Sequence, residues 1–84
     1  MKLRFYELDE ILLFVGICNE FKEDIDVKIS GTHTVLDGKS LNGMVSIGLN
    51  SVVEVHILSD NREVKARFNK EIKNLGDKYE YRNN

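Results

Sequence analysis

The chain has 84 residues, of which 42% are hydrophobic and 31% are charged. This length is enough for one domain with one hydrophobic core and too short for two domains. Its 12 basic and 14 acidic residues give a net charge of −2, which argues against a nucleic-acid binder held mainly by phosphate contacts. The longest uncharged apolar run, residues 11–18, is too short to span a bilayer, so we expect no membrane insertion. A single cysteine cannot form an internal disulfide, so we expect a cytoplasmic protein.

The first third of the chain shows a strand pattern followed by a helix pattern. Met1, Leu3 and Phe5 alternate with polar residues, which predicts a strand with one buried face. Apolar residues at helical spacing then predict a helix over about residues 9–22. Gly16 in this helix predicts close packing against another element, because it costs about 0.5–1 kcal/mol relative to alanine. The predicted buried stripe contains Ile11, Phe14, Val15, Cys18 and Phe21, widened by Leu12, Leu13 and Ile17.

A hairpin and a short helix follow. Ile25, Val27 and Ile29 alternate with polar residues as a second strand, and residues 32–36 are rich in β-branched side chains, which predicts its hairpin partner. Ser40 is placed to cap a second helix that ends at Gly48.

The last part of the chain predicts a fourth strand and a third helix. The strand begins at Val53, and Asn61 is among the capping candidates before the helix. Gly76 is expected to end that helix, so we predict a single domain over residues 1–76 and a disordered tail over residues 77–84. The buried stripe of this helix is predicted to be Val64, Phe68, Ile72 and Leu75.

The predicted element order is β-α-β-β-α-β-α, which indicates an α+β fold. Because every strand is amphipathic and every helix has an apolar stripe, the economical packing is three helices on one face of a four-stranded sheet. The other face of the sheet then faces solvent and carries residues of both charges, with no strong patch.

One segment of the sequence resembles a known family. Residues 39–48 read Lys-Ser-Leu-Asn-Gly-Met-Val-Ser-Ile-Gly, which is similar to the second-helix motif of HPr, the histidine-containing phosphocarrier of the bacterial phosphotransferase system. That motif is Lys-Ser, two apolar residues, Gly, two mostly apolar residues, Ser, an aliphatic residue and Gly. The resemblance extends more weakly over about residues 1–75. It implies an HPr-like open-faced two-layer β-sandwich with an antiparallel sheet of strand order 1-4-2-3.

The phosphocarrier motif of the family is missing at the start of the first helix. HPr proteins have Gly-x-His-Ala-Arg-Pro there, and the imidazole accepts a phosphoryl group from Enzyme I. In this chain Glu7 aligns with the histidine and Asp9 with the arginine, and Glu10 adds a third carboxylate that would repel a phosphoryl donor. We therefore expect no histidine phosphotransfer. These acids interact favourably with the helix dipole, by about 0.3–1 kcal/mol each, and an alternative is that Glu7 mimics a permanently phosphorylated site.

Ser40 aligns with the serine that an ATP-dependent HPr kinase phosphorylates in Gram-positive relatives, where the product is a co-repressor for a catabolite-control transcription factor. The resemblance thus implies regulatory phosphorylation at Ser40. The family binds partners with the apolar face of its second helix and the start of the first. Asn42 departs from the family, which usually has an apolar residue at that position. The implied partner-binding residues are Leu41, Met44, Val45 and Ile47.

These observations predict an HPr-like regulatory or interaction module that is not an enzyme. Its expected partners are proteins of the phosphotransferase or carbon-catabolite system, such as HPr kinase, a transcription regulator or an enzyme. Two alternatives are a phosphocarrier with Glu7 or Ser40 as an unorthodox acceptor, and a small-molecule-binding ACT or ferredoxin-like domain with a similar element order. We expect no cofactor and no metal, because neither His33 nor His56 has a partner at the spacing of a zinc site.

Overall fold

A computed structural model describes residues 1–79 and shows an α+β fold with the predicted element order. The strands are short and the third helix is the longest element. The elements are β1 (Lys2–Arg4), α1 (Leu8–Asn19), β2 (Ile25–Ile29), β3 (Val35–Asp37), α2 (Leu41–Val45), β4 (Val52–Ile57) and α3 (Arg62–Tyr79).

The four strands form one antiparallel sheet in the order β1-β4-β2-β3, which confirms the predicted topology. Because β1 pairs with β4, the helix α1 connects strands that are not neighbours in the sheet. The register places Val27 opposite both Val55 and Leu36, so inward-facing residues line up across three strands. This alignment follows from the period-two pattern of the strands.

The core lies between the sheet and the helices. Phe14 of α1 packs edge-to-face on Phe5, and Phe68 of α3 packs in the same way on Phe21. The opposite face of the sheet is polar, as predicted, with Glu54 of β4 opposite Lys28 of β2. The buried apolar residues are Leu3, Phe5, Ile11, Phe14, Val15, Cys18, Phe21, Ile25, Val27, Met44, Val53, Val55, Phe68, Ile72 and Leu75.

Helix α1 differs from its prediction in length and in the width of its buried face. It ends at Asn19, and Phe21 is buried from the following loop. Leu12 and Leu13 are exposed rather than part of the core, because their side chains flank the stripe that faces the sheet. The prediction for Gly16 was wrong, since a β-carbon there would have no atom within 4 Å.

The hairpin between β2 and β3 also differs from the prediction. The strand β3 begins at Val35, not at residue 32. The hydroxyl of Thr32 donates to the carbonyl oxygen of Ile29 (2.8 Å) and accepts from the amide of Thr34 (3.1 Å). The side chain of Thr32 therefore closes the turn, with the backbone amide of Thr34 as its donor, instead of extending the strand.

The two later helices have different ends from those predicted. Helix α2 stops at Val45, and Gly48 lies beyond it with φ of +82°. Helix α3 is capped by Asn61, whose side-chain oxygen accepts from the amides of Glu63 and Val64. It continues through Gly76 to Tyr79, so the predicted tail begins inside a helix, and its remainder, residues 80–84, lies outside the described residues. In the part of the chain described here, no helix has the length and apolar character to cross a membrane.

Candidate functional site

Ser40 is the N-cap of α2, as predicted. Its backbone is extended, with φ −92° and ψ 110°, and its Oγ accepts a hydrogen bond of 3.1 Å from the amide of Gly43. A β-carbon on Gly43 would lie 3.3 Å from that Oγ, so a glycine leaves room for the cap. The side chain is half-buried. The hydroxyl oxygen is therefore held in a defined place near the surface.

The segment that precedes Ser40 is fixed to the sheet by backbone hydrogen bonds. The amide of Gly38 donates to the carbonyl oxygen of Ile25 (2.8 Å), which joins the segment to β2. The amide of Ser40 donates to the carbonyl oxygen of Asp37 (3.0 Å), and the amide of Lys39 donates to the Oδ1 of the same residue (2.9 Å). This tight turn at the end of β3 determines where α2 begins.

The other side of the segment lies on α1. The side-chain amide of Asn19 donates to the carbonyl oxygens of Val15 (2.9 Å) and Lys39 (3.1 Å). Burial, together with the negative charge of Asp37, raises the pKa of the Cys18 thiol to about 12, although Lys39 opposes the shift. Cys18 is thus a core residue with very little thiolate at neutral pH.

The predicted partner-binding residues of α2 divide into exposed and buried side chains. Leu41 and Val45 are 42% and 45% exposed, on one side of the helix four positions apart. Met44 needs correction, because its side chain is fully buried in the core and cannot touch a partner of the folded protein. Ile47 is partly buried against the core.

Helix α1 contributes two further exposed apolar residues that the sequence analysis missed. Leu8 and Leu12 are 49% and 44% exposed. At about 100° of rotation per residue, they and Asn19 fall within about 40° of each other around the helix. Because Asn19 reaches Lys39, the C-terminal end of this side of α1 lies beside the start of α2. We call the exposed residues Leu8, Leu12, Leu41 and Val45 the apolar face. In the sequence, the spacing of four between Leu8 and Leu12 indicates that these two residues lie on the same side of a helix.

The entrance of α1 is built around Glu10, not around the residues aligned with the phosphocarrier motif. Glu7 is the N-cap, and both it and Asp9 are exposed. Glu10 is buried, and its Oε1 accepts hydrogen bonds from the amides of Tyr6 (2.6 Å) and Glu7 (2.8 Å). The amide of Glu7, the N-cap, is one of the donors that a helix start leaves without an intrahelical partner, and Tyr6 directly precedes it. Both of these amides therefore already have an acceptor.

The two histidines lie away from both of these regions. His33 is exposed in the hairpin turn, and His56 is exposed on the open face of the sheet, opposite Asp26. Within residues 1–79, no group of three or more His, Cys, Asp or Glu side chains could hold a metal ion.

Comparisons with protein-family models and with curated proteins gave no match to this chain. The resemblance of residues 39–48 to the HPr motif therefore remains an expectation from the sequence.

Proposed function

We propose that this chain is an HPr-like regulatory or interaction module that does not carry out histidine phosphotransfer and that is controlled by phosphorylation at Ser40. The observation that carries the proposal is the position of Ser40, which caps α2 directly before Leu41 and so lies at the edge of the apolar face. The sheet order of β1-β4-β2-β3, which the resemblance implies, supports it. The expected partners are proteins of the phosphotransferase or carbon-catabolite system.

The geometry of Ser40 suits a phosphoryl acceptor. A serine hydroxyl has two acceptor lone pairs and one proton, and Gly43 uses only one lone pair. In the reaction, Oγ attacks the γ-phosphorus of ATP, the bond from phosphorus to the bridging oxygen breaks, and ADP leaves. The hydroxyl proton passes to a base of the kinase.

The product would change what the apolar face can bind. Phosphoserine carries a charge of about −1.5 to −2 at neutral pH. Here that charge would be added next to Leu41 and Val45, which are exposed and uncharged. A matching partner then combines an apolar pocket with an arginine or lysine that reaches the phosphate. Phosphorylation would in this way select partners without any change in the fold.

The loss of histidine phosphotransfer is argued from the entrance of α1. Neither Glu7 nor Asp9 can replace the imidazole and guanidinium of the family motif. The carboxylate of Glu10 accepts from the amides of Tyr6 and Glu7, which would otherwise be available to phosphate oxygens. A phosphoryl group at this helix end would meet the negative charges of Glu7, Asp9 and Glu10, and two of the nearby amides already have an acceptor.

Incubation with ATP and HPr kinase, followed by intact-mass measurement, tests the proposal. We expect a gain of one phosphoryl group that Ser40→Ala abolishes. Ser46→Ala is the matched control, because Ser46 is an exposed serine at the other end of the same helix. Label that persists in Ser40→Ala, or no label on the wild type, would overturn the proposal.

A second incubation distinguishes the module from a phosphocarrier. With phosphoenolpyruvate and Enzyme I we expect no acid-labile phosphoryl adduct. An adduct on the wild type that is lost in Glu7→Gln would contradict the proposal and identify Glu7 as an acceptor. Asp9→Gln is the control for the change in charge at the same helix end.

A further inference from the structure

We infer that Asn19 is a positioning residue for Ser40, because its side-chain amide holds the Lys39–Ser40 peptide against α1 and so fixes the Ser40 hydroxyl. The functional consequence of this inference rests on the proposed phosphorylation of Ser40. The contact itself can be tested without any kinase.

Both N–H groups of the Asn19 side chain are used in directed hydrogen bonds. One donates to the carbonyl oxygen of Val15, on the same helix and four positions earlier, which fixes the direction of the side chain (2.9 Å). The other reaches the carbonyl oxygen of Lys39, 20 positions later in the chain (3.1 Å). Asn19 itself is exposed and contributes no apolar surface to the core. Its side chain is thus placed to connect two elements.

The carbonyl oxygen of Lys39 belongs to the peptide unit that ends at the Ser40 nitrogen. Because that unit is planar, holding its oxygen also sets the direction of the Ser40 N–H. At the opposite edge of the same peptide unit, the Ser40 N–H donates to the carbonyl oxygen of Asp37 (3.0 Å). These two hydrogen bonds fix the orientation of the peptide plane, and this orientation sets the position from which the Ser40 side chain extends.

A close contact one residue earlier holds the same segment on the same helix. A β-carbon on Gly38 would lie 3.2 Å from the Sγ of Cys18, the residue that precedes Asn19. Cys18 is the only cysteine of the chain and is fully buried. Its thiol therefore reacts with a reagent only when the structure around it opens. This makes Cys18 a built-in reporter of whether the segment stays on α1.

Amide hydrogen exchange tests the contact directly. The amide of Gly43 is protected by Ser40 Oγ, so its exchange reports whether the cap is in place. We expect Asn19→Ala and Asn19→Asp, which both lack the N–H donor, to accelerate this exchange about two- to tenfold, the effect of losing the one hydrogen bond to Lys39. Asn69→Ala, which removes an exposed asparagine from α3, is the matched control and should leave Gly43 unchanged.

Two further measurements separate positioning from a general loss of stability. Reaction of Cys18 with a thiol reagent should accelerate in Asn19→Ala and not in Asn69→Ala. In the kinase assay, Asn19→Ala should raise KM by the factor by which the capped fraction of the molecules falls, obtained from the Gly43 exchange, with kcat unchanged. A purely structural role would instead lower the urea midpoint without this separation of KM from kcat.

The outcomes for the two proposals are distinct. If the wild type is not phosphorylated, the proposed function fails, and the exchange of Gly43 and the labelling of Cys18 alone decide the role of Asn19. If both Asn19 variants match the wild type in exchange and labelling, the positioning role is overturned. If exchange and labelling accelerate while KM departs from the value that the capped fraction predicts, Asn19 holds the segment but does not position Ser40 for the kinase, which also overturns the inference.

Discussion

The Sγ of Cys18 lies 3.2 Å from the position that a β-carbon on Gly38 would occupy. On the other side, the same position is 2.9 Å from Cγ2 of Ile25 and 3.3 Å from the carbonyl oxygen of Ile25. The link between β3 and α2 therefore passes between α1 and β2 with no space for a side chain. The start of α2 depends on this close approach.

Gly38→Ala is expected to destabilise the protein by about 1–3 kcal/mol, the usual effect of forcing an extra methyl group into a packed interior. The contact with Ile25 includes its backbone oxygen, which cannot rotate away. Urea unfolding followed by circular dichroism measures the change in the free energy of unfolding.

Gly16→Ala is the matched control for that substitution. Gly16 lies in the middle of α1 with no atom within 4 Å of its β-carbon position, so alanine fits there. Alanine should stabilise the helix by about 0.5–1 kcal/mol. Equal effects of the two substitutions would contradict the packing assigned to Gly38.

The periodicity of apolar residues predicted the core, because apolar residues at the period of a helix or strand lie on the one face that the element can bury. The stripe from Ile11 to Cys18 and the alternation in β2 must face the sheet if either element is to bury its apolar surface. Periodicity could not distinguish Gly16 from Gly38, since the space around a glycine depends on which distant elements pass beside it. It also could not show which flank of α1 a neighbouring helix covers, so Leu12 was assigned to the core and is exposed.

The candidate site also contains local features that the sequence predicts and a long-range contact that it does not. The cap at Ser40 was predictable because a capping serine bonds to an amide three positions later. The contact from Asn19 to Lys39 was not, since it joins residues 20 positions apart and leaves no local pattern. Glu10 could have been recognised, because a glutamate three positions after an N-cap is half of a capping box.

Glu10 is expected to contribute more to stability than the other acids at the start of α1. Glu10→Ala leaves the amides of Tyr6 and Glu7 without their acceptor and should cost about 1–3 kcal/mol. Glu10→Gln should cost less, because a glutamine keeps a carbonyl oxygen that can accept the same bonds. Urea midpoints of the two variants measure this difference.

Glu7 provides the control for Glu10 and a test of phosphoryl mimicry. Its side chain is exposed at the N-cap, so Glu7→Ala should lower the free energy of unfolding by only about 0.3–1 kcal/mol, the interaction of an acid with the helix dipole. If Glu7 acts as a mimic of a phosphorylated site, Glu7→Ala and Glu7→Gln should weaken binding to a partner protein. Unchanged affinity in both variants would leave only the structural interpretation.

The Cys18 thiol is expected to make the fold less stable at alkaline pH. Folding raises the pKa of the thiol to about 12 from an ordinary value of 9.0, so the folded state keeps a proton that the unfolded state releases. The stability contributed by the Cys18 thiol is complete below pH 9.0. It falls by about 1.4 kcal/mol per pH unit as the pH rises from 9.0 towards about 12. Urea unfolding between about pH 8 and pH 11 should show this fall in the wild type. The comparison with Cys18→Ala removes the contributions of lysine and tyrosine, and equal slopes would contradict the prediction.

The carboxyl groups of Glu20, which follows α1, and Glu71 on α3 interact. We expect this interaction to make the free energy of unfolding depend on pH in the acid range. Burial, a hydrogen bond from Glu71 to Glu20 and the charge of Glu20 raise the pKa of Glu71, although Arg67, which lies over the ring of Phe21, opposes the shift. A hydrogen-bonded carboxyl pair favours one shared proton, so the folded state binds a proton more tightly than the unfolded state.

The sign of the resulting pH dependence follows from that raised pKa. The stability contributed by Glu71 is complete below its ordinary pKa of 4.5 and decreases as the pH rises through the folded-state value. Glu20→Gln removes the neighbouring charge and should lower the pKa of Glu71, measured from the chemical shift of its side-chain carboxyl carbon. Glu23→Gln makes the same change in charge three positions later and should have little effect. If the two variants give the same Glu71 pKa, the contact between α1 and α3 does not couple these groups, and the decrease in stability must come from other carboxylates.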